Sequence, residues 1–404
     1  MKTDPILRAK ELRKTLIDRG KILVADFSGT LQGKDTSKFI ELMPNISTGE
    51  YVFRSKVNVK DIDPLVSNPL DSEAYGKDFF DITKHSNKEI EEHINHNEFD
   101  FPLWFKHNSD FNIKRALDYN PPLILQVAGC NFHDGSDSGG CAYCFVDNES
   151  NDGRISKGKA WLGINETITS AIAAREKVKK VYRDKGADLE MKVLRSSGGE
   201  PTIVLDWILN LWREIGERNL DFVGQIDTNL STGQLVDYFE QQGVFESHIL
   251  EKLAEHPVKF LVALKGVDEK NLQENVQSLA TMEQQKYSIK KFLKAGIDIY
   301  PQMYNPNPDK LESYLKKMDR IIKNFSSKIR LGPLKIDYGP TKKRLTRQAH
   351  KLRINPEEFI QLKKEEWDNN YKRGCEVIDS YLRKHKGHDY REITRSDVPL
   401  TIKK

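Results

Sequence analysis

The sequence lacks the features that mark membrane and secreted proteins. It contains no run of about 18 consecutive apolar residues, the length a transmembrane helix needs. Its first residues alternate charged and apolar side chains and so form no apolar signal core. Internal repeats and low-complexity tracts are also absent from the sequence. These absences predict a soluble, cytoplasmic protein that has no membrane partner.

The sequence also lacks a large excess of one charge sign, since it contains 64 basic and 60 acidic residues and has a net charge of +4. Hydrophobic residues make up 38% of the 404 residues and aromatic residues 9%, which excludes a wholly disordered chain. The length suggests one large domain or two to three smaller ones. Composition alone therefore predicts a folded chain with a highly charged surface.

Positive charge is nevertheless concentrated in one segment, 316–353. It contains 13 Lys and Arg residues and only two acidic residues, Asp319 and Asp337. Such a segment is either the solvated face of a helix or a surface that attracts an acidic or phosphate-bearing partner. The sequence leaves both interpretations open.

Cysteine is scarce, and its distribution is informative. Three of the four cysteines lie within 15 residues, at Cys130, Cys141 and Cys144, while Cys375 stands alone and is interpreted as an ordinary residue. So few cysteines exclude a disulfide framework, and a tight group indicates a metal or redox function. The apolar run 123–127 predicts a strand that ends in a polar, glycine-rich loop. The grouped cysteines are therefore predicted at the C-terminal end of a strand, where parallel α/β folds carry chemistry.

Two metal sites fit this group of cysteines. His133 would complete a tetrahedral zinc site with Cys130, Cys141 and Cys144. Alternatively, the three thiolates hold an iron–sulfur cluster and leave one iron open to another ligand. The lack of a compelling fourth ligand favours the open site, although the cysteines alone do not decide between the two.

A second motif, Gly198-Gly199-Glu200-Pro201, follows another strand-like stretch that begins at Met191. Proline suits the first turn of a helix, and glycines allow a ligand to approach the backbone. The carboxylate of Glu200 would face that ligand, and a cationic amino group is its natural partner. The motif therefore predicts a turn that binds an amine.

Together, and in this order, the two motifs resemble those of the radical S-adenosylmethionine (radical SAM) enzymes. In that family, three cysteines after the first strand of a barrel hold a [4Fe-4S] cluster, and an aromatic residue usually precedes the last cysteine. A Gly-Gly-Glu-Pro motif after the second strand binds the amino group of SAM. The resemblance implies that the iron ligands are Cys130, Cys141 and Cys144. It implies that SAM contacts include Tyr143, Gly198, Gly199, Glu200 and Pro201.

The activity that the resemblance implies is an oxygen-sensitive radical reaction. The reduced cluster cleaves SAM into methionine and a 5′-deoxyadenosyl radical, which abstracts hydrogen from a substrate that the sequence does not identify. An acidic metabolite, a nucleic acid, and a protein or peptide are all compatible with the charge distribution. A one-electron donor such as ferredoxin or flavodoxin is implied as a partner. The alternative function is a zinc-stabilised module that binds protein or nucleic acid.

Two further matches concern the next strands. The sequence Asp227-Thr228-Asn229 resembles a motif after the third strand of activating-enzyme-like members, where it lies close to SAM. Lys265 matches the lysine of an Asp-x-Lys motif in the same members, although Ala263 replaces the aspartate. The resemblance thus adds Asp227, Thr228, Asn229 and Lys265 as SAM contacts. The alternative for the charged residues is that each is an ordinary, satisfied charge at a strand end.

The spacing of the cysteines departs from the family pattern. Ten residues separate Cys130 from Cys141, where most members have three. The insert is polar and glycine-rich, and lengthening a loop costs little entropy. We expect a flexible loop, in which His133 either is solvated, which is the favoured interpretation, or lines the active site.

The order of elements predicts an α/β protein with a parallel sheet. Together with the resemblance it implies a partial (β/α)6 TIM-like barrel over residues 116–335, between an N-terminal α+β extension (1–115) and a basic, mainly helical C-terminal extension (336–404). Gln302 and Tyr304, after the fifth strand, are candidate substrate contacts. The predicted strands are 123–127, 191–195, 222–227, 260–265, 297–301 and 328–332. The predicted helices are 166–184, 203–218, 247–255, 269–295, 309–325 and 356–384.

Overall fold

The structure is a computed structural model that describes most of the chain. The described residues are 2–27, 30–32, 39–44, 51–56, 123–136, 139–184, 192–334, 336–390 and 399–403. Most of the predicted N-terminal extension, together with Met191 and Lys335, lies outside these ranges.

The helices and strands alternate along the second half of the chain. The described strands are β1 (Ile17–Asp18), β2 (Lys21–Ala25), β3 (Phe39–Pro44), β4 (Tyr51–Lys56), β5 (Leu123–Val127), β6 (Lys159–Leu162), β7 (Val193–Gly198), β8 (Val223–Thr228), β9 (Val258–Leu264), β10 (Ile299–Tyr304), β11 (Ile322–Lys323), β12 (Arg330–Gly332) and β13 (Thr401–Ile402). The described helices are α1 (Pro5–Leu16), α2 (Asn148–Asn151), α3 (Ile164–Asp184), α4 (Leu205–Glu217), α5 (Gly233–Gln241), α6 (Ile249–Ala254), α7 (Glu269–Asn275), α8 (Met282–Lys294), α9 (Pro308–Ile321), α10 (Phe325–Lys328), α11 (Gly339–Leu352) and α12 (Pro356–Lys386).

The main sheet is built around six parallel strands, which lie side by side in chain order as β5, β7, β8, β9, β10 and β12. Helices connect successive strands, as parallel pairing requires. Strand β2 pairs with β5 in the antiparallel direction and carries the sheet beyond the six strands. The fold is therefore mixed α/β with a mostly parallel central sheet, which confirms the predicted class.

Most residues of the parallel strands are buried on both faces of the sheet. All five residues of β5 are buried, as expected for a strand of this kind. Helix α4 covers the sheet with an apolar stripe whose members recur every three or four residues. They are Leu205, Ile208, Leu209, Trp212 and Ile215. This packing fixes the strands and thus the loops at their C-terminal ends.

The helices of the structure differ from the prediction in more than one place. The single helix predicted over 269–295 is wrong, because α7 and α8 are separate helices. Between them, Val276 forms a bridge with Cys141, and a capping box of Thr281 and Gln284 starts α8. Helix α5 was not predicted. The break between α7 and α8 matters for function because the segment between these helices supports the loop that carries the cysteines.

The C-terminal helices α11 and α12 pack over the same loop. A second hydrophobic cluster combines side chains of the cysteine loop with side chains of these helices. Its members include Phe132, Cys141, Ala142, Tyr143, Leu345, Ala349, Phe359 and Trp367.

None of the described helices is both long and apolar enough to span a bilayer.

Candidate functional site

The two sequence motifs meet at the C-terminal ends of β5 and β7, which are adjacent parallel strands. Val127 of β5 is paired with Gly198 of β7. Beyond the strands, the backbone N–H of Gly199 donates to the carbonyl of Val127 at 2.9 Å, and that of Glu200 donates to the carbonyl of Gly129 at 2.9 Å. The Gly-Gly-Glu-Pro turn is therefore bonded directly to the backbone that precedes Cys130.

The two glycines of this turn allow the backbones to approach closely. Gly198 has a φ of +94°, which L-residues with side chains rarely adopt. A Cβ atom on Gly199 would lie 1.9 Å from the carbonyl oxygen of Gly129. The backbone of the Gly-Gly-Glu-Pro turn therefore lies directly against the backbone that leads into the cysteine loop. Pro201 begins a 3₁₀ turn, Pro201–Val204, that leads into α4.

Glu200 is a fully buried carboxylate. The hydroxyl of Thr202 donates to its Oε1 atom, and the backbone N–H of Asn229 donates to its Oε2 atom at 2.7 Å. Burial raises the pKa of Glu200, and these hydrogen bonds together with the Thr228 side chain oppose that rise. Within the described residues, no Lys or Arg forms an ion pair with Glu200. A buried carboxylate without a cation indicates a place for a cationic ligand.

Asn229 connects Glu200 to the cysteine loop. Its backbone contacts Glu200, and its Nδ2 atom lies 3.8 Å from Cys130 Sγ and 2.8 Å from Asn131 Oδ1. Its Oδ1 atom accepts hydrogen bonds from the N–H and hydroxyl of Ser231 at 3.1 and 2.5 Å. Because every polar group of its side chain is engaged, the orientation of Asn229 is fixed.

The three cysteines are free thiols at the same edge of the sheet. Burial raises the pKa of Cys130, and the nearby Cys141, Glu200 and Cys144 raise it further. Burial also raises the pKa of Cys141, whereas the nearby Lys265 lowers it. Asn151 Nδ2 lies 3.7 Å from Cys144 Sγ. In the described part of the chain, no three His, Cys, Asp or Glu side chains are grouped so as to hold a single metal ion.

Lys265 and Tyr143 lie close to Cys141. The Lys265 ammonium is 5.5 Å from the centre of the Tyr143 ring and 4.9 Å from that of Tyr304. The side chain of Tyr143 also contacts Trp367 of α12 edge to face, with ring centres 6.0 Å apart. Lys265, Tyr143 and Trp367 are nearly inaccessible to solvent, as is Cys141, whereas Cys130 and Cys144 are partly exposed.

The remaining predicted site residues lie on β8 and β10. Asp227 accepts hydrogen bonds from Arg195 at 2.9 Å and Ser197 at 2.6 Å, so its charge is already satisfied within the chain. The hydroxyl of Thr228 accepts a hydrogen bond from the N–H of Leu230. Gln302 is buried and is paired in register with Ala263 of the neighbouring strand.

The insert between Cys130 and Cys141 differs from the prediction of a solvated loop. His133 is only 1% exposed, and its Nδ1 atom accepts a hydrogen bond from the N–H of Gly135 at 3.0 Å. Burial lowers the pKa of His133 to about 4. Its neighbour Phe132 packs into the second hydrophobic cluster. The prediction that His133 is solvated is therefore wrong.

Arg344 is the main site residue that the sequence analysis missed. It is 1% exposed and donates to the carbonyl oxygens of Cys144 and Val146, and to Asn148 Oδ1 at 2.7 Å. It belongs to the basic segment, where the surrounding lysines suggest a solvated face. The signal that distinguishes it is its position among the buried residues Thr341, Leu345 and Ala349, which recur at helical spacing.

Comparisons with known proteins find distant structural likenesses. No protein-family model matches the chain, and no curated protein matches it. One similar structure is the cobalamin-dependent S-adenosylmethionine radical enzyme OxsB with aqua-cobalamin and S-adenosylmethionine bound, at 14% identity and a TM-score of 0.36, covering 79% of this chain and 36% of that chain. Another is hexahistidine-tagged anSMEcpe with bound AdoMet, at 19% identity and a TM-score of 0.32, covering 56% of each chain. The chain thus spans about a third of the OxsB chain, and likenesses this distant do not assign its activity.

Proposed function

We propose that the chain is a radical SAM enzyme. Cys130, Cys141 and Cys144 would ligate three irons of a [4Fe-4S] cluster, and Glu200 would bind the amino group of SAM. The observation that carries the proposal is the bonding of the Gly-Gly-Glu-Pro turn to the backbone before Cys130, with Asn229 in contact with both Glu200 and Cys130. A fully buried carboxylate that has no cation paired to it and lies beside the cysteine loop suits a site for iron and an ammonium group.

The donor chemistry of the site fits such a cluster. Thiolates are the usual ligands of iron–sulfur clusters, and hydrogen bonds to the sulfurs tune their potentials. The amide nitrogens of Asn229 and Asn151 lie 3.8 and 3.7 Å from the sulfurs of Cys130 and Cys144. The zinc-stabilised module gains less support, because no three His, Cys, Asp or Glu side chains of the described residues are grouped closely enough to hold a single metal ion.

The arrangement of the strands is compatible with a partial (β/α)6 barrel. Six parallel strands follow one another in chain order, and the motifs lie at their C-terminal ends, where barrels of this kind carry active sites. We assign this core to residues 116–335. Residues 1–115 and 336–404 would be extensions, of which the second covers the cysteine loop through α11 and α12.

The chain's own residues would position the ligands and exclude water. When bound, the cluster and SAM supply reductive cleavage of SAM and a 5′-deoxyadenosyl radical that abstracts hydrogen from the substrate. Glu200 would hold the amino group of SAM, and Asn229 fixes Glu200 relative to Cys130. The buried rings of Tyr143 and Trp367 would exclude solvent on the side of Cys141, which is itself buried. Other proposed SAM contacts are Gly198, Gly199, Pro201, Asp227, Thr228 and Lys265.

Anaerobic reconstitution tests the proposal directly. After incubation with iron and sulfide, we expect the protein to hold about four irons per chain and to release 5′-deoxyadenosine when SAM and dithionite are added. The triple variant C130A/C141A/C144A should lose both properties, whereas Cys375→Ala should retain them. Stoichiometric zinc in the anaerobically purified protein, with no 5′-deoxyadenosine from a filled cluster, would refute the radical SAM assignment.

Glu200→Gln tests the proposed contact to the amino group. The amide keeps the shape of the side chain but removes its charge, and a hydrogen bond to a charged group contributes about 1.5–3 kcal/mol. We expect the Kd for SAM to rise about tenfold to a hundredfold, with the iron content unchanged, as measured by equilibrium dialysis of the reconstituted protein. Glu214→Gln, on the outer face of α4, is the matched control. Equal SAM affinity in both variants contradicts the assigned contact.

A further inference from the structure

The main sheet has an apolar face, which the helices cover, and a polar face on the opposite side. Phe260 of β9 packs against Phe292 of α8 with ring centres 5.0 Å apart, so it belongs to the helix-covered face. Because side chains alternate along a strand, Ala263 and Lys265 point to the opposite face. Gln302 of β10 is paired in register with Ala263 and shares that face. Lys265 and Gln302 therefore lie on the polar face of neighbouring strands.

Lys265 is a buried cation that has no acidic partner. Within the described residues, its ammonium makes no hydrogen bond and no ion pair, and its contacts are with the rings of Tyr143 and Tyr304. Ala263, two positions earlier on the same face, carries no charge. Cys141 lies nearby, but the proposed function gives its negative charge to iron. Because a buried charge without a partner is unfavourable, Lys265 indicates a place for an anionic group.

Two other buried cations on the polar face have acidic partners. Arg195 forms an ion pair with Asp227 at 2.7 Å. Lys259, whose side chain is nearly inaccessible, forms an ion pair with Asp298. The register of β7, β8 and β9 places both cations on the same face as Lys265. Of these three cations, Lys265 alone lacks an acid among the described residues, so its unpaired charge is not a general property of the face.

Gln302 supplies a second polar group beside Lys265. The residue is 3% exposed, and its amide forms no hydrogen bond with the described part of the chain. A Cβ on Gly332 would lie 2.8 Å from Gln302 Nε2 and 2.6 Å from the ring of Tyr304, so this glycine makes room for both side chains. Ala263 and Tyr304 keep accessible surface although their strands have neighbours on both sides. There is thus space here that a ligand can occupy.

We propose that Lys265 and Gln302 bind an anionic group of the substrate, either a carboxylate or a phosphate. The inference rests on the proposed function, because it names the substrate class of the same site. The ammonium would form a charge-assisted hydrogen bond with the anion, and the amide would donate a second one. The two tyrosine rings beside Lys265 suit an anionic group attached to a flat, apolar portion. Strand β8 separates Lys265 on β9 from the turn after β7 that carries Glu200.

Calorimetric titration of the reconstituted, SAM-loaded protein tests the site with two probes. Benzoate carries a carboxylate and phenyl phosphate carries a phosphate, while benzyl alcohol is the uncharged control. We expect at least one of the two acids to bind with a Kd of about 1 mM or tighter, and benzyl alcohol not to bind. The acid that binds identifies which of the two anionic groups the site accepts.

Variants assign the binding to the two residues. Lys265→Met removes the charge but keeps the length of the side chain, and should raise the Kd for the probe at least tenfold. Gln302→Met should raise it at least threefold, and Lys265→Arg should retain binding within threefold. Lys270→Met, at an exposed position on α7, is the matched control and should change the Kd less than twofold. The iron content of each variant verifies that the cysteine loop is intact.

A separate measurement distinguishes the substrate from the carboxylate of SAM. By equilibrium dialysis, Lys265→Met should raise the Kd for SAM much less than Glu200→Gln does. If it raises the Kd for SAM equally and leaves probe binding unchanged, Lys265 binds SAM and the inference is wrong. Loss of iron from Lys265→Met with unchanged probe binding would make the lysine a counterion of the cluster, which also overturns the inference.

The remaining outcomes are decisive as well. The inference fails if neither acid binds, if benzyl alcohol binds equally well, or if Lys265→Met and Lys270→Met weaken binding to the same extent. Calorimetry does not depend on SAM cleavage. A protein that binds a probe through Lys265 but releases no 5′-deoxyadenosine with dithionite overturns the proposed function and supports the anion site. A protein that releases 5′-deoxyadenosine but binds neither probe defeats the anion site alone.

Discussion

Gly199→Ala should separate the two halves of the candidate site. The new Cβ would lie 1.9 Å from the carbonyl oxygen and 2.5 Å from the carbonyl carbon of Gly129, and backbone atoms have no rotamer with which to move away. We expect the free energy of unfolding to fall by about 3 kcal/mol, as overpacking in a tight region does. Because Gly129 precedes Cys130, iron retention and SAM binding should fall as well.

The control for this substitution is Gly216→Ala, near the end of α4. A Cβ on Gly216 meets nothing within 4 Å, so the change should be neutral or stabilise the helix by up to about 1 kcal/mol. Urea unfolding and iron analysis of the two reconstituted variants provide the comparison. Equal stability and iron content in both variants would mean that the contact between Gly199 and Gly129 does not hold the site together.

The meeting of the two motifs was predictable because it depends on strand order. Adjacent parallel strands end at the same edge of a sheet, so loops after the first and second strands must be neighbours. The pairing of β5 with β7 confirms this part of the prediction. The apolar run that predicted β5 is short and lacks alternation, which is the pattern of a strand buried on both faces.

The shape of the cysteine loop was not predictable in the same way. One support of the loop is Phe132, a single apolar residue in a polar insert that packs into the second hydrophobic cluster, and single residues carry no periodic signal. Its other support is the bridge between Cys141 and Val276, which are far apart in sequence. Contacts of this kind arise from tertiary packing, which propensity does not encode.

Arg344 illustrates how composition hides a structural role. Counting charges over the segment 316–353 suggests one uniform basic surface, yet Lys328 and Arg344 are 2% and 1% exposed. Lys328 forms an ion pair with Asp298 at 2.8 Å, whereas Arg344 bonds to backbone carbonyls. The helical stripe shared with Leu345 distinguishes Arg344 from its exposed neighbours. The basic segment is therefore partly a surface and partly an internal support of the site.

Replacing Arg344 should consequently have a large effect on the cysteine loop. Arg344→Met removes the charged donor to the carbonyls of Cys144 and Val146 and leaves them only the longer hydrogen bonds from Thr341 Oγ1 at 3.3 Å and Asn151 Nδ2 at 3.5 Å. Hydrogen bonds to charged groups contribute about 1.5–3 kcal/mol each, so the free energy of unfolding should fall by about 3 kcal/mol. The reconstituted protein should also lose iron faster to a chelator, because the segment around Cys144 is no longer held against α11.

The neighbouring Lys343 supplies the matched control. Its side chain is 42% exposed and lies 3.8 Å from Glu149, and an exposed pair of this kind contributes at most about 1 kcal/mol. Lys343→Met should therefore leave stability and the rate of iron loss nearly unchanged. Arg344→Lys should fall between the two, since an ammonium retains the charge but lacks the planar fork that reaches two carbonyls. If Arg344→Met retains iron as long as Lys343→Met does, the charge of Arg344 is not what fixes Cys144.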